Sequence, residues 1–179
     1  MDRAVTENLL SQKINLAQIK KLVSQASGNN ANLDMLWDFV RSSDRRTSVN
    51  ALWVLLHLPA DNYPWLHTMR NSMIDMLLEE SDTAKKRILL SILRDMDCQS
   101  EPLRTDFLDY CLSKINSEHE PYAIRCFSLY NAFNMCRKYP ELLAELEHHL
   151  NMLEFQSLSP GLKSALRQTK TKISKLPRQ

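Results

Sequence analysis

The sequence predicts an all-α fold, and three observations carry the prediction. Only two glycines, Gly28 and Gly161, occur in 179 residues, fewer than hairpin-rich β folds or glycine-cradled nucleotide sites need. Leu, Met, Ala, Lys and Glu, all good helix formers, are frequent. Prolines stand at Pro64, Pro102 and Pro140, spaced 38 and 38, each ahead of an apolar pattern of helical period. With 44% hydrophobic and 25% charged residues, the chain has the balance of one soluble globular domain spanning 1–179.

Proline is tolerated in the first turn of a helix, where its missing N–H would be unpaired anyway. PWLHTMRNSMIDMLL, PLRTDFLDYCLSKI and PELLAELEHHLNML therefore read as equivalent helices, termed B. Overlaying them aligns Ile74, Leu112 and Leu150, then Leu77, Ile115 and Leu153. Arg70, Leu108 and Leu146 form a column that the first copy breaks. NLDMLWDFVRSS fits the same register, with Leu36 and Phe39 in the two apolar columns.

A second series, termed A, starts after Asp44, Asp82, Glu120 and Ser159, spaced 38, 38 and 39. Side-chain acceptors and acids belong at helix starts, where they satisfy free N–H groups and suit the positive end of the dipole. Ala51, Leu89, Phe127 and Leu166 share one A column, and Arg87 and Arg125 another. ALWVLLHL is apolar nearly all round, as in a helix buried between neighbours. The links PADNY (59–63) and DCQSE (97–101) are short, which makes successive helices antiparallel.

The chain thus reads as two-helix repeats of about 38 residues: a degenerate copy over roughly 4–42, clear copies at 44–80, 82–117 and 120–155, and a lone capping helix at 159–175. That is about nine helices, and a unit of this size buries its apolar face only by stacking on neighbours. Pro121 with Arg125, and Pro160 with Lys163, resemble the proline-then-basic pattern of the first helix of a HEAT repeat. The resemblance to the HEAT and armadillo-like family covers nearly the whole chain and implies a right-handed α-α superhelix. The period is short for that family, and Ala26 stands where the first repeat would carry its proline.

Catalytic and cofactor motifs are missing. Phosphate loops, dinucleotide fingerprints and the nucleophile elbow all need clustered glycines, and no HExxH occurs, so no cofactor, metal or catalytic residue is assigned. Glu145 and His149, at i and i+4, supply only two ligands from one helix and read as a solvated face. His57 and His67 read as a satisfied structural histidine and a surface one. Cys98, Cys111, Cys126 and Cys136 are spaced 13, 15 and 10 apart, which suits reduced, partly buried thiols of a cytoplasmic protein. No apolar run is long enough for a membrane span and the N-terminus is not a signal peptide, so no membrane partner is expected.

Trp53 reads as core and Trp37 as core or edge, while Trp65, beside Tyr63 at a B-helix start, is the candidate exposed aromatic anchor. Charge divides by helix type. The B segments 64–80, 101–116 and 140–155 carry −2, −1 and −4, and the A segments 44–58, 82–97, 118–139 and 159–178 carry +1, +1, +1 and +6. In solenoids similar to this one the B helices line the concave face. The exposed B column Asn71, Asp109 and Glu147, with Asp106 and Asp75 nearby, would make that face mildly acidic.

These features point to a non-enzymatic interaction module whose B-helix face holds a protein or peptide, with partner-binding candidates Tyr63, Trp65, Asn71, Asp106, Asp109 and Glu147. An alternative is a HEAT-like DNA-binding protein or alkylpurine DNA glycosylase, in which Trp65 and Asp75 would take the aromatic and acidic roles. The sign of the B-face charge disfavours nucleic acid there. A structural subunit with no free-standing activity is the third reading. The basic C-terminus, with Lys163, Arg167, Lys170, Lys172, Lys175 and Arg178, either caps the stack or contacts an acidic partner or nucleic acid, with Lys170, Lys172 and Lys175 as the contacts.

Overall fold

The computed structural model describes residues 1–96 and 102–176. The link at 97–101, with Cys98, and Arg178 lie outside the described residues. Among the described residues there are ten α-helices and no strand. The chain divides into two compact units, Met1–Ile92 and Leu93–Gln179.

The first unit holds α1 (Arg3–Leu10), α2 (Leu16–Ala26), α3 (Asn30–Val40), α4 (Arg45–Leu56) and α5 (Tyr63–Glu79), and α6 (Thr83–Asp95) begins in it. The degenerate first copy therefore contains three helices rather than two. The extra break follows from Asn15, whose side chain accepts from the Gln18 N–H at 3.0 Å while the Gln18 side chain takes the Asn15 N–H at 2.9 Å. This reciprocal cap starts a new helix only a few residues after α1 ends. Gly28, at φ +73°, turns the chain after α2 in a backbone region that L side chains rarely adopt, and its N–H is held by Asn62 Oδ1 at 2.9 Å.

Helix α4 packs against α1, α2 and α3. Asp44 caps it by accepting from the Thr47 N–H at 2.7 Å, a bond that also holds the Asp44 carboxyl below its usual pKa. Buried Asn50 on α4 donates to the carbonyls of Leu10 (2.7 Å) and Gln12 (3.0 Å), closing the open end of α1. Asp82 caps α6 through the N–H groups of Ala84 and Lys85. Leu36, Phe39, Ile74 and Leu77, the two apolar B columns of this unit, are all buried.

The second unit holds α7 (Thr105–Ile115), α8 (Tyr122–Cys136), α9 (Pro140–Glu154) and α10 (Pro160–Ile173). Helix α8 is central and touches α7, α9 and α10, while α9 also touches α7 and α10. Leu112, Ile115, Leu150 and Leu153 continue the apolar columns and are buried, as are Leu108 and Leu146. Pro140 and Pro160 open α9 and α10, and Pro64 lies in the first turn of α5.

Two helix starts depart from the sequence reading. Pro102 stands ahead of α7, which begins at Thr105, because Arg104 takes the capping position and its carbonyl accepts the first helical bond, from Leu108. Glu120 does not cap α8. Pro121 holds that position without a side-chain bond, and Glu120 pairs instead with Lys114 Nζ at 2.9 Å.

Candidate functional site

On α5 the predicted contact residues separate. Asn71 and Asp75 are exposed and Tyr63 is half-buried. Trp65 is buried, with its indole N–H donating to Asp34 Oδ1 of α3 at 2.8 Å. It is therefore neither an exposed anchor nor a free face for stacking on a base. A ring of that size gains more from burial than from solvent contact once its polar N–H has an acceptor. Trp37 is core, Trp53 is half-buried, and exposed His57 bonds through Nδ1 to the Trp53 carbonyl at 2.8 Å. His67, read as a surface residue, is half-buried.

In the second unit Asp106 and Asp109 on α7, and Glu147 on α9, are all exposed. Asp106 is gripped by Arg104 at 2.9 and 2.7 Å, and that hydrogen bonding holds its carboxyl below the usual range. Asp109 and Glu147 lie 38 residues apart on helices that touch, so the repeat places two carboxylates at equivalent positions.

Helices α7 and α9 are tied at one end by polar groups. Asn116 Nδ2 meets His149 Nδ1 at 3.1 Å and donates to the His149 carbonyl at 3.2 Å. Buried Arg125 donates through Nε to the Ile115 carbonyl at 2.9 Å and through Nη2 to Gln156 Oε1. Gln156 in turn donates to the Asn116 carbonyl at 3.1 Å. His149 is thus a packing residue, and its partner in the i, i+4 pair, Glu145, points to solvent.

Burial pushes the His149 pKa below the ordinary value, with His148 adding to the shift and Glu145 opposing it. The unfolded chain then binds a proton more readily than the folded one, so stability falls as pH drops through the ordinary histidine range near ~6.5. Urea midpoints at neutral and mildly acidic pH should show that loss. His149→Gln should flatten it, and an unchanged pH profile in the variant would contradict the assignment.

Sequence reasoning missed an open cleft of about 410 Å³ in the second unit. It lies between the last turn of α6 (Arg94, Asp95), the outer side of α8 (Tyr130, Phe133, Asn134) and α10 (Gln168, Lys172). Asn134 Nδ2 donates to the Arg94 carbonyl at 3.0 Å and fixes one wall. The Arg94 guanidinium stacks 5.1 Å from the Phe127 ring centre and makes two 2.7 Å bonds to Asp95. Lys172 Nζ lies 5.7 Å from the centre of the Phe133 ring. No sequence signal marks the cleft, because the repeat register offsets α8 from α10 by 39 residues and its walls come from three separate helices.

The basic residues of α10 are not one cluster. Lys170 is bound to Glu154 at 2.6 Å and Asn151 at 3.0 Å, on the side of α9. Lys172 is on the side of α8, and Lys175 is exposed just past the helix end. Cys111 and Cys136 are buried thiols; burial pushes Cys136 up to about 12 and Cys111 well above its usual value. Both are protonated and unreactive at neutral pH.

Among the described residues no helix is long and apolar enough to cross a membrane, and no three His, Cys, Asp or Glu side chains converge as metal ligands would. No curated protein and no solved structure matches the chain. Residues 6–173 match the HEAT repeat domain family, from within α1 to the end of α10 and through both compact units. With that span, and with buried columns recurring at the repeat period, the chain belongs to the HEAT repeat domain family.

Proposed function

We propose that the protein is a non-enzymatic interaction module of the cytoplasm that binds a partner protein or peptide through its B helices. Exposed Asp109 and Glu147, at equivalent repeat positions on touching helices, carry this reading. The buried columns beneath them fix the backbone, so the exposed positions of successive B helices can change without cost to the fold. Asp106 is held ionised by Arg104, and that pair adds no net charge to the surface of α7. Charge complementary to Asp109 and Glu147 favours a partner segment with basic residues and speeds its encounter. Asn71, 38 residues before Asp109, is the corresponding position on α5, and half-buried Tyr63 stands at the start of that helix.

The test is affinity capture from native cells with wild type and a doubly charge-reversed protein, Asp109→Lys with Glu147→Lys. A partner retained by wild type should be recovered about tenfold less by the variant, equivalent to roughly 1.4 kcal/mol. Recovery unchanged by the reversal would remove the B helices from the interface. Duplex DNA bound at low salt through these same positions, and released steeply by added salt, would favour the nucleic-acid reading instead.

A further inference from the structure

We propose that the cleft between α6, α8 and α10 is a second docking surface, independent of the B helices, and that it receives a carboxylate side chain from an acidic peptide segment. The charge balance of the cleft commits it to that occupant. Arg94 and Asp95 neutralise one another through their two hydrogen bonds, so neither supplies net charge. Lys172 remains. Among the described residues no carboxylate lies within ion-pair distance of it, and its exposed side chain places the ammonium 5.7 Å from the centre of the Phe133 ring. One uncompensated cation beside an aromatic wall matches the single charge of one carboxylate, whereas a phosphate monoester carries nearly two.

Tyr130 supplies a second donor from the α8 wall. It is half-buried, and that burial raises its pKa and keeps the hydroxyl protonated. Gln168 spends one amide hydrogen on Ser164 Oγ at 3.1 Å, and Lys172 and Tyr130 are the pair that would hold the anion. Beyond the cleft, exposed Lys175 follows one turn after Lys172 and extends the cationic edge for a second acidic side chain. Like charges at this spacing repel, so an anionic segment laid along the edge relieves a cost the free protein bears.

Asp95 borders the cleft on one side, and Glu154 and Glu147 stand on the α9 side of α10. A phosphate backbone laid across α10 from the cleft would meet those carboxylates.

The experiment titrates the full-length protein into a short fluorescein-labelled peptide of alternating glutamate and glycine, read by fluorescence anisotropy at low salt. Lys172→Met should weaken binding about tenfold and Tyr130→Phe about threefold, while Lys163→Met, on the opposite flank of α10, should change it less than about twofold. All three sites are at least partly exposed, and circular dichroism checks that each variant is folded. Equal losses from Lys172→Met and Lys163→Met would reduce the effect to diffuse attraction and overturn the proposal. So would tighter binding of a labelled oligothymidylate than of the peptide, or a dimer in sedimentation that Lys172→Met abolishes. Reversing Asp109 and Glu147 should leave peptide affinity undiminished, so this surface and the B-helix surface can fail separately.

Discussion

Replacing Arg125 by alanine should cost about 3 kcal/mol of folding stability, the largest effect expected of any polar residue in the chain. Arg125 is 2% exposed, and among the described residues no carboxylate pairs with it. Its charge is accommodated by the carbonyl of Ile115, the last residue of α7, where the negative end of the helix dipole favours a cation. Gln156 accepts a second bond and relays to the Asn116 carbonyl. Removing the guanidinium leaves the buried Ile115 carbonyl and the half-buried Gln156 amide oxygen without their donor and opens a cavity at the junction of three helices. Methionine at the same position refills the volume and removes the buried charge but not the orphaned acceptors, so it should recover about half of the loss. For a chain of this length the alanine variant should melt about 6–12 °C below wild type. A melting temperature within about 1 °C of wild type would mean that the end of α7 is held by something else.

The second large effect is Leu150→Ala, expected to cost about 3 kcal/mol. Leu150 is fully buried on α9 and shares its column with Leu112 and Ile74. Truncation removes the transfer energy of the lost methyl groups and leaves a void that packed helices refill only in part. Glu147→Ala, one turn earlier on the exposed side, should stay within about 0.5 kcal/mol of wild type. Urea denaturation of the pair tests the repeat register directly. Equal costs at both positions would mean that the helix is rotated from the face assigned to it.

The apolar columns were legible in the sequence because burial at helical spacing is a local property, readable wherever Leu and Ile recur at one period. Caps were legible where the side chain acts on its own helix, as at Asp44, Asp82 and Ser159. They were not legible where a neighbour competes: Glu120 is drawn to Lys114, and Arg104 displaces the expected start at Pro102. The capping pair Asn15 and Gln18 was present to be read, yet the two-helix pattern hid it. Trp65 was misplaced because its acceptor, Asp34, sits 31 residues earlier, on a different helix. The cleft escaped for the same reason, since its walls come from three helices and no short motif joins them.

The burial of Trp65 also gives the molecule an optical label. All three tryptophans, Trp37, Trp53 and Trp65, fall in Met1–Ile92, and none in Leu93–Gln179. Indole fluorescence therefore reports one compact unit alone, while circular dichroism sums helices from both. Any gap between the two unfolding curves measures, without an added probe, whether the units melt as one.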